Sequence, residues 1–169
     1  MMESQTIDQS QPAAAVAYRP VGADDGVFLL DLYAGTRADE MAMVPWTEEQ
    51  QQAFVKMQYT AQQAHYREKF PTASHEIILL DGRPVGQRYV DRLEREIRII
   101  DIIVMASERN HGIGTFSVRE LMDEAKGAGT VVTIYVETFN PSLNLFERLG
   151  FRQVAEHGAH LLMEWAPAS

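Results

Sequence analysis

A single acid, Asp101, interrupts the β-branched run IIDIIV. A carboxylate in a buried strand is costly unless a partner or hydrogen bond compensates it. One reason to keep it there is chemistry: burial lifts a carboxyl pKa towards neutrality and makes the group a base for a substrate proton, directly or through water. The other is architecture, an ion pair with an arginine on the neighbouring strand such as Arg88 or Arg92. Glu96, where the run begins, is a second carboxylate that can act as a base or sit as an exposed strand-end charge.

Just beyond lies ERNHGIGT, residues 108–115, with Gly112 and Gly114 one residue apart and a helical pattern after them. A glycine turn that ends a strand and opens a helix aims several backbone N–H groups and the positive end of a helix dipole at one spot. That is a phosphate or pyrophosphate cradle, helped by Arg109 and His111. A P-loop would need Lys-Ser/Thr after the second glycine, where Thr115 and Phe116 stand, and a dinucleotide fingerprint would need a small residue where Ser117 is only marginal. A plain corner that uses glycine for positive φ stays open as the alternative. His65, His75, His111, His157 and His160 show no metal-ligand spacing and the chain has no cysteine, so no metal, disulfide or thiolate nucleophile is expected.

The elements that must position these groups follow from periodicity. AVAYRP reads as a first strand ended by Pro20, and ADDGVFLLDLYAGTR as a helix with acids in its first turn. Thr47 caps a second helix, 47–69, with Phe54, Met57, Ala61 and Ala64 at helical spacing, and Pro71 stops it. HEIILL and PVGQRYVDR form a hairpin through DGR. EIRIIDIIVM, 96–105, is nearly continuous β-branched sequence, as in a strand covered on both faces. An amphipathic helix follows, with Val118, Leu121, Met122 and Ala125 inward and Gly127 or Gly129 as its stop. TVVTIYVET is a buried strand, NPSLNLFERLGF a short helix with Asn140 as cap and Pro141 in its first position, and GAHLLMEW the last strand, with RQVAE a further short one. The order β-α-α-β-β-β-α-β-α-β predicts an α+β fold.

At 169 residues and 46% hydrophobic content the chain suits one domain, 14–169, behind a polar tail over 1–13. A formal charge of −9 argues against a nucleic-acid partner. The start MMESQTIDQSQPAAA lacks a signal-peptide pattern and IRIIDIIVM is too short and too charged to span a bilayer, so a cytoplasmic protein without a membrane partner is expected.

RNHGIG after a long strand and NPSLNLFERLGF after the next, in register, resemble the GCN5-related N-acetyltransferase (GNAT) superfamily; the specific part is 96–151, and element order extends the likeness over about 14–165. The chain also looks like an uncharacterised bacterial subgroup of it. The resemblance implies a three-layer α/β/α domain: a mixed, mainly antiparallel sheet of six or seven strands, about four helices, and a parallel pair splayed at a cofactor slot. It implies acetyl transfer from acetyl-CoA to an amine, on a small molecule or peptide. By the same resemblance the pyrophosphate falls to Arg109, Asn110, His111, Gly112, Ile113, Gly114 and Thr115, the pantetheine arm to Val104 and Met105, and the CoA tail to Asn140 and Phe146. The family often places a tyrosine acid where this chain has Phe146, and a phenyl ring has no proton to give; Phe146 is read as packing on CoA. Acceptor contacts are expected from a loop carrying Arg37, Glu40 and Trp46 and from helix residues Gln58, Gln62, His65 and Tyr66. A non-catalytic acyl-CoA-binding module and a transferase for a larger acyl group are the competing readings. A monomer or homodimer is expected.

Overall fold

The computed structural model describes residues 15–168; the tail expected over 1–13 lies outside the described residues. In chain order the elements are β1 (Val16–Pro20), α1 (Gly26–Thr36), α2 (Ala38–Ala42), α3 (Glu48–Lys69), β2 (Ser74–Leu80), β3 (Arg83–Arg92) and β4 (Glu96–Val104). They continue with α4 (Ile113–Ala128), β5 (Val131–Glu137), α5 (Ser142–Arg148), β6 (Arg152–His157) and β7 (His160–Trp165). The strands make one sheet in the order β1-β2-β3-β4-β5-β7-β6. Among the described residues only β4 and β5 pair in parallel.

Local chemistry explains most boundaries. Thr47 accepts the Gln50 N–H while the Gln50 side chain returns to the Thr47 N–H, a reciprocal cap that starts α3. Asp81 and Gly82 both have positive φ, 51° and 81°, which the two-residue turn between β2 and β3 demands. Helix α4 ends at Gly129, in the left-handed region at φ 70°. Asn140 turns the chain into α5 by accepting the Ser142 N–H at 2.9 Å, and the helix begins at Ser142, one residue past the expected Pro141.

Helices α1 and α3 cover one face of the sheet, with Leu29, Leu32 and Ile77 packed together and Tyr33, Met41 and Val55 beside them. Helices α4 and α5 cover the other, where Val118, Leu121 and Ala125 meet Ile97, Ile99, Val132 and Phe146. Three expectations need correction. The buried stripe of α3 runs through Val55 and Gln63, and Met57, Ala61 and Ala64 face outwards, because the helix leans on α1 through its half-buried Phe54 and Tyr59. The expected loop after α1 contains the extra helix α2, making five α-helices among the described residues. And β4 is not covered on both faces: Ile97 and Ile99 are buried on the α4 side, whereas Arg98 on the other face and Ile100 to Val104 beyond are half-buried.

The reason for that last change is the geometry that makes the site. Pairing of β4 with β5 runs from Glu96↔Val131 to Ile99↔Ile134. Past that point β5 stays with β7, from Tyr135↔Leu162 to Glu137↔His160, and β4 stays with β3, from Tyr89↔Asp101 to Gly86↔Val104. The register of β3 with β4 jumps between Tyr89 and Val90, leaving Ile100 as an extra residue in β4. Such a bulge bends its strand and re-aims the side chains after it. The parallel pair parts at the bulge.

Candidate active site

The parting strands open a cleft of about 1000 Å³ that reaches both faces of the sheet. One wall comes from α1 to α3 (Tyr33, Arg37, Glu40, Gln62, Tyr66), the other from α4, β5 and α5 (Gly114, Val118, Val136, Phe146), with Ile100 to Val104 between them.

Asp101, the first residue after the bulge, lies on the cleft. Burial raises its carboxyl to about 6; the Gln87 amide, the Ile102 N–H and the nearby Arg37 charge oppose the rise without cancelling it. The Gln87 Nε2–H donates to its Oδ2 at 3.0 Å. The architectural alternative fails on distance and direction. Arg88 points to the other face, where it pairs with Glu76 at 3.1 Å and Glu120 at 2.7 Å, and Arg92 is held by Glu124. Glu96 is not brought to the cleft: it pairs with Arg98 at 2.8 Å and accepts from Thr133 at the far end of β4.

Of the residues expected on the acceptor side, Arg37, Glu40, Gln62 and Tyr66 meet at the cleft. Arg37 reaches from the end of α1, donating to Glu40 at 2.7 Å and to the Tyr33 hydroxyl at 3.1 Å. Tyr66 stands edge-on to Tyr89, its phenol raised above the ordinary tyrosine value by burial and then by the Asp101 charge. Trp46, Gln58 and His65 are not among the cleft's walls. Trp46 packs edge-on against Phe54 at 5.1 Å, His65 is exposed, and the half-buried Gln58 leaves its Oε1 without a protein partner.

On the opposite side the glycine turn has the expected form. Asn110 and Gly112 hold positive φ, 66° and 82°, and α4 starts at Ile113 with no side chain capping its first amides. Those amides have no partner inside the helix. Arg109 lines the cleft and donates to the Val104 carbonyl at 3.3 Å, while Gly114 lies against Val104. Met105 continues the β4 backbone, its N–H bonded to the Val85 carbonyl. Exposed His111 sits 3.8 Å from Glu108. Phe146 is 5% exposed, edge-on to Phe151, and its remaining surface faces the cleft.

Comparison with known families places a match over residues 36–151 to the model of the acetyltransferase (GNAT) family. The chain belongs to the GNAT acetyltransferase family. It is therefore an N-acetyltransferase, and its acyl donor is acetyl-CoA. Solved structures share the fold at low identity. PaiA N-acetyltransferase from Thermoplasma acidophilum, in complex with coenzyme A, is 13% identical with a TM-score of 0.68, covering 90% of this chain and 99% of its own. An acetyltransferase from Thermus thermophilus is 15% identical with a TM-score of 0.64, covering 93% and 100%. Arabidopsis thaliana Naa50, in complex with the bisubstrate analogue CoA-Ac-MVNAL, is 13% identical with a TM-score of 0.57, covering 89% and 98%. No curated protein matches.

Gln87, Tyr33 and the wall of this acetyltransferase's cleft from Glu137, the last residue of β5, to Phe139 are not foreseen from the sequence. Gln87 carries one signal, a polar residue set between Val85 and Tyr89 at alternate positions of the strand, but its direction depends on a register that one strand alone does not encode.

Proposed function

We propose that this acetyltransferase moves the acetyl group directly onto the amine of a small molecule or peptide, with both substrates held together in the cleft and Asp101 as the base. The observation that carries the reading is Asp101 itself, a carboxyl raised to about 6 at the point where β4 leaves β5, with no cation paired to it by a salt bridge among the described residues.

The donor side fits an acyl-CoA. The uncapped amides of Ile113, Gly114 and Thr115 at the α4 start, with Arg109 and the Asn110–His111–Gly112 turn, would hold the pyrophosphate. The β4 edge from Ile100 through Val104 to Met105, free of β5, offers backbone groups to an extended amide chain, and Asn140 and Phe146 flank its path. Bound acetyl-CoA supplies an activated acyl carbon and a thiolate leaving group. Asp101 takes the proton that the attacking amine must shed as its nitrogen bonds to that carbon. Phe146 has no proton to give the departing sulfur, and none is required of it, because a thiolate is a stable leaving group.

On the acceptor side Arg37, Glu40, Gln62 and Tyr66 surround the approach to Asp101 and would orient the amine. The Naa50 complex, whose analogue carries a peptide, supports a peptide amine as one acceptor class. The test is calorimetric titration with acetyl-CoA and free CoA, followed by thiol release over a panel of amines and peptides. Micromolar binding and amine-dependent release are expected, and the chain contributes no thiol background. Binding without release on any amine, or release that ignores the amine, would overturn the proposal.

A further inference from the structure

A polar string crosses the sheet beneath the cleft. It runs from His75 on β2 through Gln87 on β3 to Asp101 on β4, with the His75 Nε2 hydrogen-bonded to Gln87 Oε1 and Gln87 Nε2 donating to Asp101. Strand register brings the three together: His75 is opposite Tyr89, and Tyr89 is opposite Asp101. Gln87 is 3% exposed, and the His75 ring is stacked on Tyr89 with centroids 4.4 Å apart.

We propose that Gln87 and His75 are positioning residues for Asp101: the His75 Nε2–H fixes the Gln87 amide so that its NH2 group faces the carboxylate and holds it, ionised and oriented, at the cleft. The inference rests on the reading of Asp101 as the base and extends it to two residues that do not touch the substrate.

The assignment follows from donor and acceptor chemistry. An ionised carboxylate only accepts, so the nitrogen end of the Gln87 amide faces it. The oxygen end then faces His75 and also only accepts, so the imidazole proton must sit on Nε2. Without that lock the amide can turn over, placing its oxygen against the carboxylate and favouring the protonated acid. Burial pushes the His75 imidazole below its ordinary value, so near neutrality the ring is uncharged and holds the one proton the string needs.

The groups that face the string are few. Around Asp101 stand Arg37 from the end of α1, Tyr59 and Tyr66 from α3 and Tyr89 from β3, with Glu40 on Arg37 and Glu137 on the opposite wall of the cleft. Around His75 stand the Tyr89 ring and Asp25, itself held by Arg19.

The test is carbon NMR titration of the aspartate carboxyls in the full chain, with the Asp101 signal identified by its loss in Asp101→Asn. No acceptor is needed, so the string is tested apart from turnover. In Gln87→Leu, which keeps volume and removes the donor, the Asp101 midpoint should rise by about one pH unit. His75→Phe, which keeps a ring on Tyr89 and removes the N–H, should shift it in the same direction by less. His75→Gln, whose amide can donate to Gln87, should restore it. Thermal unfolding of each variant separates these shifts from loss of fold, and a structural role alone would move the melting temperature and leave the midpoint in place. An unmoved midpoint in folded Gln87→Leu or His75→Phe overturns the proposal while Asp101 can still prove essential in thiol release. Wild-type thiol release by Asp101→Asn overturns the base, and the positioning role with it.

Discussion

Two polar groups sit in the same pair of central strands, one on each face, and they are treated differently. Arg88, 3% exposed, is saturated: Glu76, Glu120 and Ser117 accept from its guanidinium, and the Tyr18 ring lies 3.7 Å below its carbon. Asp101, on the opposite face, has a single side-chain donor in Gln87 and opens onto the cleft. A buried charge with every direction occupied has nothing left to offer a substrate, and removing it leaves its partners stranded. A carboxyl with one side-chain donor, raised by burial and open to the cleft, retains a proton equilibrium near physiological pH. A buried, fully partnered charge therefore marks structure on one face, and a half-buried, sparsely partnered carboxyl marks the proposed base on the other.

The largest effect that would test this contrast is on stability. Arg88→Ala should cost about 3 kcal/mol, near the low end for a broken buried pair because Glu76 and Glu120 keep some access to water. Chemical denaturation would measure it, with acetyl-CoA affinity of the folded fraction unchanged. Next, Asp101→Asn should lower turnover by ~10² or more at neutral pH, read as thiol release under saturating donor. A melting temperature that falls while turnover of the folded protein holds would return Asp101 to the class of Arg88.

A pH series sharpens the comparison further. With a folded value near 6 against an ordinary 3.8, Asp101 binds its proton more tightly in the folded state. Its contribution to stability therefore grows as pH falls from above 6 towards 4, by up to roughly 3 kcal/mol before the loss of its hydrogen bond is counted. Asp101→Asn should flatten that slope and unfold later than wild type at pH 7 to 8. Asp25 runs the other way: Arg19 and the Gly22 N–H hold it at about 2, so its contribution is present above 3.8 and lost as pH falls through 2. Asp25→Asn should remove that acid limb. The smallest effect is local: Thr47→Ala, which removes the cap of α3, should cost about 1 kcal/mol and leave the cleft's chemistry intact.

Much of the molecule is legible in the sequence because its signals are short-range. The cap at Thr47, the positive-φ pair Asp81–Gly82, the glycines at 112 and 129, and the β-branched run of β4 each act within a few residues, and each lies where the spacing predicts. The short strand at RQVAE is present as β6. The apolar stripe of α3 is misread from sequence because its residues are mostly polar, so the inward face is chosen by α1 and the sheet, which even bury Gln63. Trp46 and His65 are expected at the acceptor side from their places in the loop and in helix 47–69, and neither lies among the cleft's walls, because which side of a helix or loop faces the cleft is set by packing.

By itself the sequence determined the order of elements apart from α2, the glycine turn at the start of α4 and the presence of a carboxylate in a strand that should not tolerate one. All three follow from backbone conformation and hydrophobic periodicity, which are local. Tertiary structure alone decided that β4 leaves β5 after Ile99, that Asp101 faces the cleft while Arg88 faces α4, and that Gln87 and His75 stand beside the carboxylate. Those depend on strand register, where a one-residue bulge changes which face a side chain occupies, and register is a property of neighbouring strands brought together from distant parts of the chain.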